Sequence, residues 1–183
     1  MLSLSTVTIN INLVLYLWTM KEQPHDGKLS RILVAIDGSQ SSMKAAECAI
    51  AMAEKEGNQQ NEEMTVELIA LTVLDVSKPR GFLSSFVAAP TYGLKELDQE
   101  RRAAKQWMDN IRQKAIDKKV SFRSEVIDGL LSAEATIVDY AESQNINLIV
   151  VGTRGRSGFS KVLLGSVASK VVTYAHCPVL VVK

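Results

Sequence analysis

An open parallel α/β sheet with helices on both faces is the fold this sequence predicts. Three observations carry it. Strand-like stretches at 31–36, 66–73, 121–127, 148–151 and 179–182 alternate with stretches of helical spacing. Two of those strands, 148–151 and 179–182, are apolar runs without alternation, as strands buried on both faces are. A glycine-rich turn joins the strand at 148–151 to a helix. In such sheets ligands bind beyond the carboxyl ends of the strands, where the strand order reverses. No internal repeat is visible.

The first strand of the domain ends at Asp37, and Gly38, Ser39, Gln40, Ser41 and Ser42 supply turn and helix-cap chemistry. Met43, Ala46, Ala49, Ile50 and Ala53 recur at helical spacing, so a helix follows and ends near Gly57. Residues 58–63 form a polar loop before the second strand. The connection at 75–92 is long and carries Pro79, Gly81 and Pro90, with Phe82, Leu83 and Phe86 set to be exposed. Loops of that length are uncommon and often functional. The next helix spans 94–119. Leu97, Ala104, Trp107, Met108, Ile111 and Ala115 form its buried stripe, and Glu96, Asp98, Glu100, Arg101, Arg102 and Lys105 its solvated face. The third strand mixes in Ser121, Arg123, Ser124 and Glu125, as an edge strand does. Gly129 marks a turn and Ser132 an N-cap, opening a helix over 133–144 with Ile137 and Ala141 inward. Pro178 introduces the last strand.

The composition is that of a globular protein: 46% hydrophobic and 22% charged residues. One domain is expected from 183 residues, enough to bury a core without disulfides or metal. A net charge of +1 argues against a general nucleic-acid binder, which carries a basic excess. Cys48 and Cys177 lie far apart without metal-ligand spacing and read as small buried residues in a reducing, cytoplasmic setting. His25 and His176 have no carboxylate or cysteine at ligand spacing, and neither is assigned a role.

Residues 1–28 form an extension ahead of a domain at 29–183. Its first charge is Lys21, after the apolar stretch rather than before it, which does not fit a secretory signal. Its best apolar run, 13–18, is far short of a membrane span. Val7, Ile9, Ile11, Leu13, Leu15 and Leu17 alternate with Thr8, Asn10 and Asn12, which is strand periodicity. An extra strand or ordered arm, a disordered or non-native leader starting ahead of Met20, and a membrane anchor all stay open. Residues 22–28, with Pro24 and Gly27, read as a linker.

The chemistry is concentrated at 150–168. Gly152, Gly155 and Gly158 follow the fourth strand, interleaved with Arg154, Arg156 and Lys161. Gly165 and Ser166 then open a helix whose apolar positions are Leu164, Val167, Ala168, Val171, Val172 and Ala175. A strand, a glycine loop and a helix start make an anion site. Unpaired N–H groups point outward, the helix dipole adds positive potential, and glycine lets a phosphate approach the main chain. If the first and fourth strands are central neighbours, Asp37 and Gly152 face one crevice.

These residues together resemble the universal stress protein family. The run Ile32-Leu33-Val34-Ala35-Ile36-Asp37-Gly38-Ser39 is similar to its first strand and turn. Gly152, Gly155, Gly165 and Ser166 match its nucleotide signature, and Cys177-Pro178-Val179-Leu180-Val181-Val182 its ending. The resemblance covers 29–183 and leaves 1–28 without a counterpart. It implies a five-stranded parallel sheet in the order 3-2-1-4-5, Rossmann-like and of the adenine nucleotide alpha hydrolase-like type. It also implies ATP as ligand, with Mg2+ or Mn2+. On that reading Asp37 meets the ribose or the metal, Val73 packs near adenine, and Gly152, Arg154 and Gly155 follow the ribose and phosphates. Gly165, Ser166, Val167 and Ala168 hold the phosphate tail.

No lysine-bearing phosphate loop of the Gly-x-x-x-x-Gly-Lys type is present, and no nucleophile or catalytic set can be named. The sequence therefore reads as a nucleotide-responsive binding protein. A slow ATPase or phosphate-transfer partner, and an interaction scaffold with a structural nucleotide, are the alternatives. Oligomerisation follows from the last strand. It is an edge in the implied order yet wholly apolar, and a bare apolar edge invites pairing, so a homodimer through it is expected. The extension could add a strand there.

Overall fold

The computed structural model describes residues 15–17, 29–59, 66–76, 90–156 and 164–183. The elements are β1 (Leu15–Leu17), β2 (Arg31–Ala35), α1 (Gln40–Gln59), β3 (Glu67–Asp75), α2 (Pro90–Asp117), β4 (Ser121–Gly129), α3 (Ala133–Ser143), β5 (Leu148–Gly152), α4 (Ser166–Tyr174) and β6 (Val179–Val182). They make one six-stranded sheet in the order β1-β6-β5-β2-β3-β4. The strands β2 to β6 are parallel to one another and stand in the expected order. The polar third strand of the domain, β4, is indeed an edge.

Two apolar layers sandwich the sheet. Successive side chains of a strand point to opposite faces. Ile32, Val34, Leu68, Ala70, Val150 and Leu180 thus meet α1 and α2 residues such as Ala49, Ile50, Met108 and Ile111. Leu33, Ile69, Leu71, Ile149, Val151, Val179 and Val181 meet Ile137, Ala141, Ala168 and Val171 of α3 and α4. That double burial is why the central strands read as apolar without alternation. Cys177 lies in the second layer, 1% exposed, and burial pushes its thiol up to about 12. Cys48 is only partly buried, with burial again raising its thiol.

Several boundaries differ from the sequence reading. The helix expected from 94 begins at Pro90, because proline fits the first helical turn, where its missing N–H has no intrahelical acceptor to meet. The strands β3 and β4 run on past 73 and 127, pairing continuously from Glu67↔Ser121 to Asp75↔Gly129. Helix α1 continues through Gly57 to Gln59; one glycine costs a helix about 1 kcal/mol, too little to end it here. Ser132 stands at the N-cap of α3, but its hydroxyl makes no capping bond. The readings of Phe82, Leu83, Phe86, Gly158, Lys161, the loop at 60–63 and the alternation at 1–14 lie outside the described residues.

Helices α2 and α3 end alike. Lys119 and Asn145 adopt positive φ, 55° and 51°. The N–H of Val120 then reaches back to Ala115 O, and that of Ile146 to Ala141 O, both at 2.9 Å. This is a left-handed helix cap built without glycine. Each ending delivers a buried residue, Val120 or Ile146, toward the next strand.

The last strand is not the bare edge the sequence suggested. The outer side of β6 carries β1, antiparallel, with Leu15↔Val181, Tyr16↔Leu180 and Leu17↔Val179. Apolar β6 is thus paired on both sides, by β5 and by β1.

Candidate functional site

Strands β2 and β5 are neighbours at the sheet centre, with Val34 beside Val150. The chain leaves β2 for α1 on one face and β5 for α4 on the other. Their carboxyl ends therefore diverge and open a crevice, the switch point at which open α/β sheets bind ligands.

Asp37 stands at its floor. The chain turns at Gly38, whose φ of +79° is a left-handed conformation that glycine adopts without strain. One Asp37 oxygen, Oδ1, accepts the Ser39 N–H at 3.0 Å, and Oδ2 accepts the Arg156 N–H at 3.2 Å. Buried Thr72 donates its hydroxyl to Ile36 O at 2.9 Å, fixing the carbonyl just before the aspartate. The Ser39 hydroxyl donates to Arg154 O at 3.2 Å, and the Ser41 hydroxyl donates to the same oxygen. The first turn of α1 thereby holds the glycine loop by its main chain.

The glycines have separate reasons. A Cβ on Gly152 would lie 2.7 Å from the Ser41 carbonyl carbon and 2.8 Å from Ser42 N, so α1 itself demands glycine there. A Cβ on Gly155 would lie 2.9 Å from Asp37 Oδ2. Gly165 donates its N–H to Thr153 O at 2.7 Å and caps α4. The first bond of α4 runs from Ser169 N–H to Gly165 O at 2.9 Å. The N–H groups of Ser166, Val167 and Ala168 precede it and have no acceptor within the helix. The N-cap residue, Gly165, has no side chain to cap them.

All nine residues the sequence singled out line one cavity of about 240 Å³: Asp37, Val73, Gly152, Arg154, Gly155, Gly165, Ser166, Val167 and Ala168. Its apolar end is completed by Ala35, Leu71, Ile137 and Val151. Asp37, Arg154 and Arg156 are the charged residues among those that line the cavity. Ala168 is 4% exposed, so only its main chain is available to a ligand, whereas Ser166 is exposed. No group of three His, Cys, Asp or Glu side chains gathers among the described residues. Among the described lining residues Asp37 is the one carboxylate, so a divalent ion held there would take its remaining ligands from hydroxyls, water and phosphate, as Mg2+ sites often do.

Sequence reasoning missed the part played by Ser39 and Ser41. Their hydroxyls bridge to the loop instead of only capping α1, and a serine-rich turn gives no sign of a target 113 or 115 residues away. It also placed Arg156 only among the basic residues of the glycine loop, and Trp107 in the buried stripe of its helix. The structure puts the Arg156 N–H on Asp37, and its guanidinium over Trp107.

Fold and crevice define an α/β domain with an anion cradle at its topological switch point. The chain belongs to the universal stress protein family, whose profile matches residues 28–183. Over 155 residues it is 36% identical to universal stress protein MJ0531 of Methanocaldococcus jannaschii, covering 84% of this chain and 81% of that one. It is 33% identical to universal stress protein YxiE of Bacillus subtilis over 84% of this chain and 99% of the relative. The fold matches the universal stress protein UspA of Lactobacillus plantarum at a TM-score of 0.71 and 28% identity, covering 85% and 99% of the two chains. Two more distant structures with this fold contain nucleotide. An Arabidopsis thaliana family protein holds AMP (16% identity, TM-score 0.57), and another universal stress protein is in complex with cAMP (22% identity, TM-score 0.55).

Proposed function

We propose that this chain binds ATP in the cavity between β2 and β5 and acts as a nucleotide-responsive regulatory protein of the stress response. The observation that carries the reading is the cradle itself. The first turn of α4, Gly155 and the basic residues Arg154 and Arg156 line one cavity together with apolar Leu71, Val73 and Ile137. Adenine suits those apolar residues; a triphosphate suits the amides. Asp37 serves the ribose or a Mg2+ or Mn2+ ion. Binding asks Asp37 to exchange its hold on the Arg156 N–H for the ligand, which lets the loop register occupancy. Family structures with AMP and cAMP support an adenine nucleotide as the ligand class.

Two further parts belong to the same reading. Residues 1–28 form a separate extension ahead of the family domain. A homodimer pairs two copies along β6, which requires β1 to leave that edge. Light scattering on the full chain and on one lacking 1–28 checks this: the shortened chain dimerises more tightly. We place the protein in the cytoplasm, in keeping with its two free thiols. Among the described residues no helix is long and apolar enough to cross a membrane.

The test of ligand identity is mass spectrometry of whatever the freshly purified protein releases, followed by calorimetric titration with ATP, AMP and cAMP, with and without Mg2+. ATP binding that Gly155→Arg abolishes supports the reading. Failure of all three nucleotides to bind at millimolar concentration refutes it. A multi-turnover phosphate-release assay separates binding from slow hydrolysis.

A further inference from the structure

We propose that Trp107, on a helix that does not line the cavity, is a positioning residue of the nucleotide site. Its indole sets the place of the phosphate-facing segment 154–156 through Arg156. This rests on the nucleotide reading above and extends it to α2.

Trp107 touches both flanks of Asp37. In sequence, the flank is Gly38. A Cβ there would lie 2.2 Å from Trp107 Cζ2 and 2.3 Å from Cε2, so the six-membered ring occupies the glycine's open side. In space, the flank is Arg156. Its N–H donates to Asp37 Oδ2 at 3.2 Å, and its guanidinium carbon lies 5.9 Å from the Trp107 ring centroid. One aromatic side chain thus supports the turn that aims the aspartate and holds the cation whose main chain meets that aspartate.

The surroundings of Arg156 explain why such a hold is needed. The residue is exposed and borders two spaces. One is the nucleotide cavity. The other is a surface hollow of about 410 Å³ against α2, which Arg156 lines with Glu96, Gln99, Glu100 and Ala103. Released from the indole, the guanidinium is drawn to the carboxylates of that flank and takes the loop main chain with it. Held over the ring, it stays at the cavity mouth. Attraction of a cation to an aromatic face needs the ring quadrupole, which bulk alone does not supply. Trp107→Phe keeps a face, whereas Trp107→Leu keeps only apolar contact.

The experiment is a double-mutant cycle on the full chain. Wild type, Trp107→Leu, Arg156→Gln and the double variant are titrated with ATP by calorimetry, and melting temperatures are recorded without nucleotide. Trp107→Leu weakens ATP binding about two- to fivefold, the scale of an exposed cation–aromatic contact. Trp107→Phe restores most of it. In the Arg156→Gln background Trp107→Leu costs less than in wild type, because only the Gly38 contact is then left to lose. Equal losses in both backgrounds, or no rescue by phenylalanine, overturn the proposal by reducing Trp107 to packing. If wild type itself binds no nucleotide, the parent reading fails; if it binds and Trp107→Leu binds equally well, only this inference fails. Should Trp107→Leu not fold, a Trp18→Phe background leaves Trp107 as the sole indole. Its emission must then change on Arg156→Gln, and an unchanged spectrum overturns the proposal.

Discussion

Gly152→Ala is the sharpest test of how this site is built. The signature assigns Gly152 to the ligand; the structure assigns its missing side chain to α1. The new methyl would meet the Ser41 carbonyl carbon and Oγ at 2.7 Å and Ser42 N at 2.8 Å. Two of those three atoms are main chain in the first turn of α1, so no flexible tip can swing away. Gly152 has no positive φ, so the substitution tests space and not backbone strain. Overpacking of this kind costs about 1–3 kcal/mol. For a chain of this size each kcal/mol moves the melting temperature by about 2–4 °C, so a fall of about 2–12 °C is expected. The assay is thermal unfolding followed by circular dichroism, with no nucleotide present. Gly57→Ala is the control: nothing lies within 4 Å of its Cβ position inside α1, and the change should stabilise by about 0.4–1 kcal/mol. If Gly152→Ala melts with wild type in the absence of ligand, α1 does not require that glycine and the packing reason is wrong.

Three further outcomes follow from the described contacts. Asn147 Oδ1 accepts from Ser30 N–H at 2.9 Å, Ser30 Oγ at 2.6 Å and Arg31 N–H at 2.8 Å, pinning the start of β2. Asn147→Ala should cost about 1–3 kcal/mol in urea unfolding, since several donors lose their acceptor at once. Lys119→Gly should raise the melting temperature slightly. Relief of about 1–2 kcal/mol of left-handed strain outweighs the 0.5–1 kcal/mol that glycine's freedom in the unfolded chain costs. The Glu134–Lys170 pair joins α3 to α4. Burial pushes the Glu134 carboxyl up, but the Lys170 bond, bonds from its own main chain and from the Ser132 side chain, and the Lys170 charge together outweigh this and hold it below its usual value. The Glu134 bond in turn raises Lys170. A lowered carboxyl stabilises above the ordinary carboxylate pKa and loses that effect as pH falls through its folded value. A raised lysine stabilises below its ordinary pKa and loses the effect as pH rises through its folded value. Glu134→Gln should therefore lower stability slightly at neutral pH and match wild type in acid and in strong alkali; a pH-independent difference would count against the pairing.

The layered fold was legible because burial on both faces writes itself into composition: 148–151 and 179–182 are apolar at every position. The meeting of Asp37 with the glycine loop was legible too, since both follow strands that the alternating order brings to the sheet centre. What the chain hid were contacts whose partners lie far off in sequence. Ser39 and Ser41 look like any helix start until Arg154 O arrives. Gly152 looks like a ligand glycine until α1 packs on it. Trp107 sits in a regular apolar stripe, and nothing in that periodicity distinguishes a core indole from one resting on a turn. Lys119 and Asn145 end their helices in a conformation associated with glycine, and their side chains give little warning of it. Pro90 looked like part of a loop because proline breaks helices in their middles; at a first turn the same residue starts one.

The position of β1 has a practical consequence. It lies beside β6, and Lys183 follows β6 directly. Among the described residues β1 and Lys183 thus share one rim of the sheet, with β4 on the opposite rim. A chain tethered to a support through Lys183 turns its β4 side to the solution and crowds the seam where β1 lies on β6. Capture experiments anchored that way will favour ligands of the β4 flank and disfavour a second subunit.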